Sequence, residues 1–257
     1  WGAFISGGIA INRNEMFDNS LETIDVSRKI INIKKQAMIE KEKYIVGVCT
    51  NRAKNFKLIN VIKHYKINGP LLTEGGACVY KKTFYNYKLL NKNGSSSILR
   101  NILINAITDF LNKENIKIKL KVGGTSTSKI TLSKHRKKSS TIYIPLFMEE
   151  KLDNLIEYLH NYNGLENYVI DRDLFNILKI NVYQKTINKI KIMEDYFKNK
   201  SVVFITDYEP YPLTSHCNLV KIYSVGLNKE FNNYCDAVFP SNGVGVEKIL
   251  DNIRRNL

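Results

Sequence analysis

Along the first 80 residues the hydrophobic pattern alternates between two kinds of segment. Trp1–Ile5 and Lys43–Cys49 (KYIVGVC) are short and almost wholly apolar, as strands buried on both faces are. Between them Ser20-Leu21-Glu22-Thr23 offers an N-cap to a helix running through the thirties, with Ile24, Val26, Ile30 and Ile31 as its apolar positions. A second helix starts at Phe56–Ile62, and Asn68-Gly69-Pro70 breaks the chain. Leu71–Thr73 and Ala77–Tyr80 are then short strands on either side of a Gly75-Gly76 turn. Strand, helix, strand, helix, strand predicts a parallel sheet with helical crossovers.

The rhythm changes after Asn93-Gly94. Ile98–Leu111 has helical spacing (Leu99, Ile102, Leu103, Ala106, Ile107, Phe110). Ile116–Lys121 alternates strictly, which sends its two isoleucines and its leucine to one face and Lys117, Lys119 and Lys121 to the other. Ile130–Leu132 and Thr141–Phe147 read as strands joined by a basic loop, Ser133–Ser140. Glu149–Tyr162 reads as a helix with Leu152, Leu155, Ile156 and Leu159 on one side, and Tyr168–Asp171 and Phe175–Tyr183 as two more strands. The first rhythm then resumes with a helix at Thr186–Phe197, strands at Ser201–Thr206, Val220–Ser224 and Asp236–Phe239, and a closing helix at Val244–Ile253. The expected architecture is α/β: a doubly wound, Rossmannoid parallel core from 1–82 and 184–257, with an α+β cap inserted at 83–183.

Length and charge narrow the classes. At 257 residues, 44% of them hydrophobic, the chain can bury a substantial core. No apolar run reaches the roughly 18–20 residues of a membrane-spanning helix, and the opening residues lack the basic region and cleavage site of a secretory signal. Cys49, Cys78, Cys217 and Cys235 are far apart with no CxxC pairing, which points to free thiols in a reducing interior and away from zinc or a disulfide framework. An intracellular protein is expected, with mitochondrial and cytoplasmic settings both open. The balance of 39 Lys+Arg against 24 Asp+Glu gives a formal charge of +15. Two explanations stand: a phosphate-rich partner, or an A/T-rich gene that inflates lysine along with Asn, Ile and Tyr.

The segment Ala3-Phe4-Ile5-Ser6-Gly7-Gly8-Ile9 is a strand end running into a glycine loop, a place where catalytic loops are delivered. Yet it holds no carboxylate, histidine, cysteine or lysine. Four further fragments put it in context: Val48-Cys49-Thr50-Asn51-Arg52; Ile67–Ala77 with its Asn-Gly-Pro and Glu74-Gly75-Gly76-Ala77; Lys185-Thr186-Ile187-Asn188-Lys189; and Phe204-Ile205-Thr206-Asp207. Asp236-Ala237-Val238 and Gly243-Val244-Gly245-Val246 close the series. In this order, with a cap between the second and third motifs, the chain resembles the haloacid dehalogenase superfamily of phosphatases. The likeness is nearest to its Cof-like, archaeal phosphoglycolate phosphatase and mannosyl-phosphoglycerate phosphatase branches.

The resemblance implies a chemistry and shows where it is missing. The family's first strand ends in Asp-x-Asp-Gly: the first carboxylate attacks phosphorus, the second serves as acid and base, and carboxylates from the first and fourth motifs hold Mg²⁺. With Gly7 on the motif's glycine, Phe4 takes the nucleophile's place and Ser6 that of the acid/base. In the fourth motif Asp207 is kept, but Tyr211 stands where the second aspartate belongs. No catalytic residue and no cofactor are therefore expected, with Mg²⁺ required only if the enzyme is active after all. Thr50, Asn51 and Lys189 fall on the family's phosphate-holding positions, where two readings stay open: a residual anion pocket, or a strand-end hydroxyl satisfied by backbone beside a Lys189–Asp207 pair.

Two functions follow. One is a pseudophosphatase retained as a binding or structural subunit, with a partner that is protein or RNA; an RNA-containing assembly such as a mitochondrial ribosome is one setting. Its basic surface would come from Lys117, Lys119 and Lys121 on a cap strand, with Lys134, Arg136, Lys137 and Lys138 on the neighbouring loop. The other is a divergent Mg²⁺-dependent phosphatase of a small phosphorylated sugar or acid. A cap used as an assembly interface is a third, weaker option.

Overall fold

The computed structural model describes residues 21–50, 53–84, 86–90, 96–124, 126–134, 136, 138–173, 176–185, 189–198, 200–206, 220–225, 233, 235–240 and 243–256. The expected strand at Trp1–Ile5 lies outside them. In chain order the elements are α1 (Leu21–Glu40), β1 (Val48–Cys49), α2 (Phe56–His64), β2 (Leu71–Thr73), β3 (Cys78–Lys82), β4 (Tyr87–Leu89) and α3 (Ser96–Lys113). There follow β5 (Leu120–Val122), β6 (Ile130–Leu132), β7 (Ser140–Tyr143), α4 (Leu152–His160), β8 (Tyr168–Asp173) and β9 (Asn176–Gln184). The last are α5 (Lys189–Phe197), β10 (Val202–Thr206), β11 (Val220–Ser224), β12 (Ala237–Val238) and α6 (Gly243–Asn256). The chain divides into two compact units: Trp1–Thr50 with Val61–Pro70 and Asn188–Leu257, and Asn51–Asn60 with Leu71–Ile187.

The first unit is built on a parallel sheet, β10-β11-β12, whose register runs from Val202↔Val220 to Thr206↔Ser224 and ends on Ser224↔Val238. The C-terminal ends of its strands are therefore level, which is where open α/β sheets place their ligands. α1 and α6 share one core: Ile31 and Met38 meet Val246, Ile249, Leu250 and Ile253, together with Tyr223 and Val225. Lys34 bridges to Asp251 (2.9 Å) and Glu247 (3.5 Å) beside that seam. Part-exposed pairs of this kind set alignment more than stability. Two expectations change. Ile30, expected on the buried side of α1, is exposed, since the inward stripe is Ile31, Lys35 and Met38 at helical spacing. The strand expected over Lys43–Cys49 shrinks to Val48–Cys49, because Lys43 turns left-handed (φ 61°) as the chain leaves α1.

The second unit holds two sheets. β2, β3 and β4 form an antiparallel meander with Leu71↔Tyr80 and Tyr80↔Leu89 opposed. Two strands so close in sequence pair antiparallel, since a parallel crossover needs a dozen or more residues. Here Glu74, Gly75 and Gly76, at φ 55°, 71° and 97°, reverse the chain at once. The larger sheet has the order β5-β6-β7-β9-β8, parallel only between β5 and β6. One of its faces is apolar. Ile130, Leu132, Ile142, Ile180 and Val182 pack there against Leu103, Ile107 and Phe110 of α3 and Leu152, Leu155 and Leu159 of α4. The helix expected from Glu149 begins instead as a 3-10 turn, Leu146–Lys151, which follows Pro145 and ends the strand at Tyr143.

Candidate functional site

β1 ends at Thr50, and the sequence around it explains how that end is fixed. The Asn68 side chain is an adaptor: its Oδ1 accepts the Val46 N–H (2.8 Å) and its Nδ2 donates to the Tyr44 carbonyl (3.0 Å). Gly69 then donates to the Val46 carbonyl (2.8 Å), and Val48 donates to the Pro70 carbonyl (2.9 Å). The two backbones touch so closely that a Cβ on Gly69 would lie 2.7 Å from the Val46 carbonyl carbon and oxygen. One on Gly47 would lie 2.9 Å from the Pro70 oxygen. The Asn-Gly-Pro fragment thus clamps the strand that carries Thr50, which is half-buried.

Of the residues expected around this end, Phe4, Ser6, Asn51, Arg52 and Asp207 lie outside the described residues. Lys189 opens α5, its side chain likewise undescribed. Asp207 follows directly on Thr206, the last residue of β10. With the sequence aligned on Gly7, Phe4 and Ser6 would bring no carboxylate to a Mg²⁺ site beside Asp207, a donor set that does not suit that ion. Among the described residues no three His, Cys, Asp or Glu side chains gather into a metal-binding group. Near the end of β11, burial, with help from Asp236, pushes the Cys235 thiol up to about 11 against a hydrogen bond with Ser224, which disfavours the reactive thiolate.

The second unit carries a polar constellation that sequence reading missed. The five-stranded sheet turns Thr131, Thr141, Tyr143, Lys179, Asn181, Asp171 and Asp173 to the face opposite its apolar core, as the cross-strand register requires. Asn181 Nδ2 donates to Asp173 Oδ2 (2.9 Å), Lys179 pairs with the same oxygen, and Tyr183 donates to Asp171 Oδ2 (2.6 Å). Thr131 is fully buried there with its hydroxyl lacking any hydrogen-bond partner. The signal was present in β9, where Lys179, Asn181 and Tyr183 alternate with Ile180 and Val182.

Glu74 belongs to the same unit and is 2% exposed. Its Oε2 accepts the N–H groups of Lys138 (2.7 Å) and Ser139 (2.9 Å) and the Ser139 hydroxyl (3.0 Å), while Cys78 Sγ approaches Oε1 at 3.6 Å. Arg136 donates to Ser139 Oγ (3.0 Å). Burial lowers the Arg136 pKa, and Glu74, Tyr143 and Asp173 oppose that shift. Arg136 thus differs from the solvated cation expected there, its guanidinium being turned toward Glu74 and Ser139, while Lys138 is half-buried with its backbone N–H on Glu74. Lys137 lies outside the described residues. Lys117, Lys119, Lys121 and Lys134 are exposed, as expected.

Similar folds are found among solved structures. A haloacid dehalogenase-like hydrolase from Bacteroides thetaiotaomicron superposes with a TM-score of 0.59 over 91% of this chain and 95% of that one, at 11% identity. The chain has the haloacid dehalogenase fold. A subclass IIB sugar phosphatase of that superfamily matches at TM-score 0.58 and 11% identity, over 88% of this chain and 91% of that one. A Plasmodium vivax protein described as HAD/Cof-like matches at TM-score 0.58 and 14% identity, over 88% of this chain and 87% of that one. No family model and no curated protein matches the sequence. A haloacid dehalogenase fold at this level of identity fixes architecture and leaves chemistry to the residues themselves. Among the described residues no helix is long and apolar enough to cross a membrane.

Proposed function

We propose that this protein holds a small polar ligand on a phosphatase fold without hydrolysing phosphate esters. The observation that carries the reading lies in the sequence: aligned on Gly7, Phe4 and Ser6 take the positions of the fold's nucleophile and acid/base. Neither side chain can form an acyl-phosphate, and neither exchanges a proton usefully near neutral pH. Removing a catalytic nucleophile alone costs several orders of magnitude in rate. The polar sheet face supports retained binding: Asp171, Asp173, Lys179, Asn181 and Tyr183 are held by one another in fixed orientations, as hydroxyl-rich ligands such as sugars require. Similarity in fold to a sugar phosphatase makes phosphorylated sugars the class to test first.

Incubating the purified protein with sugar phosphates and Mg²⁺ should release no phosphate above the blank. Calorimetric titration with the same compounds should give heat that Asn181→Ala weakens at least fivefold. Absence of heat from every compound would overturn the binding half of the reading. The overall layout favours one rival, a divergent Mg²⁺-dependent phosphatase. Turnover that disappears in Asp207→Ala would establish that rival and overturn the non-hydrolysing half.

A further inference from the structure

Residues 115–148 contain eight Lys or Arg and no Asp or Glu. The structure exposes part of that charge on one segment. Ile116, Ile118 and Leu120 pack onto the second unit's core, and Lys117, Lys119 and Lys121 between and after them are exposed. The Ile118 N–H donates to the Ile116 carbonyl (3.1 Å), so the chain is drawn in at Lys117 before it extends into β5. Lys134 joins them from the next strand's loop. Gly123 (φ 85°) follows β5, and a Cβ there would lie 3.3 Å from Lys134 Cβ and 3.4 Å from its Cδ, so the Lys134 stem lies across that glycine. Arg100 Nη2 fixes the Lys134 backbone by donating to its carbonyl at 2.9 Å. The nearest acid along the chain, Glu114, is engaged by Lys151 at 2.8 Å. Among the described residues none of the four lysines takes part in an ion pair.

We propose that this strip, Lys117, Lys119, Lys121 and Lys134, docks the phosphate backbone of a single-stranded nucleic acid. A run of neighbouring cations matches a polyanion whose charges repeat along a line, and each contact releases condensed counterions. A membrane would instead be met by a disc of cations around bulky apolar side chains. Among the described residues of 115–124, Val122, at 37%, is the one exposed large apolar residue. Lysines on an edge strand also discourage strand-to-strand association, but that role needs no fourth amine placed across Gly123.

The test uses the full chain and a fluorescein-labelled oligouridylate, with anisotropy read between about 50 and 200 mM salt. Binding should weaken linearly on a log–log plot. The triple variant K117A/K119A/K121A should lose at least tenfold in affinity at the lowest salt, and its slope should fall by about 2, at roughly 0.7 per single-strand phosphate contact. Removing the same charge elsewhere, in K29A/K41A/K63A, should leave affinity within threefold. Absence of binding at the lowest salt, or equal losses in the two triple variants, overturns the strip. So does a preference for vesicles of equal phosphatidylcholine and phosphatidylserine over the oligonucleotide. The six lysines are exposed, so the variants fold; matching melting curves check this. Phosphate-ester turnover, or its absence, does not move this readout.

Discussion

Lys35 carries an amine into the core of the first unit, at 4% exposure. Its Nζ donates to the Tyr65 carbonyl, which Gln36 Nε2 also reaches at 3.2 Å, and it sits 5.3 Å from the Tyr65 ring centre. Burial, with Lys66 adding, lowers its pKa from 10.5 to about 8. Between those values the unfolded chain binds more protons than the folded one, so stability attributable to this group rises with pH from about 8 to 10.5. Below about pH 8 the full penalty is present. Lys35→Met should therefore stabilise the fold at pH 7 by about 1–3 kcal/mol, since Gln36 still satisfies the carbonyl. The gain should fade as pH approaches 10.5, which urea unfolding across that range would show. Glu74 is the opposite case, a buried charge fully engaged. Glu74→Gln keeps the shape but leaves Arg136 without its nearest compensating charge, and should cost about 2–4 kcal/mol in the same measurement.

At the scale of elements, what could be read in advance depended on how local the cause was. Alternation in 116–121 and the helical spacing of Leu152, Leu155 and Leu159 were legible because period and burial coincide there. The turn after Thr73 was legible through Gly75 and Gly76, but the left-handed conformation of Glu74 before them was not. Arg136 illustrates a second limit: a cation in a serine-rich basic loop looks solvated until a carboxylate 62 positions earlier is found beside it. The Asn-Gly-Pro clamp lies between. Its residues were visible as a chain break, but the close approach of Gly69 to Val46 was not. Gly69→Ala would force the two backbones apart, and a loss of more than about 2 kcal/mol is expected, with Asn68→Ala milder by comparison. Denaturant midpoints of the two variants order the contributions.

At the scale of the whole molecule, the fold class was readable from the order of strands, helices and motif fragments, while the candidate site was readable only by what is missing from it. Aspartates in the opening segment would announce themselves; Phe4 and Ser6, which the alignment on Gly7 expects in their place, carry meaning only through the order of the neighbouring fragments. The polar face of the five-stranded sheet needed register, since Asp173, Lys179 and Asn181 meet across strands.

The path of the chain also has a bearing on how the protein is made. The first unit is assembled from three separate stretches, and α6 supplies Val246, Ile249, Leu250 and Ile253, half of its principal cluster. During translation the second unit can therefore condense while the first still lacks α6. Until α6 is made, Ile31 and Met38 of α1 have no finished interior to enter, which makes the arrival of that helix the step that completes the first unit's core.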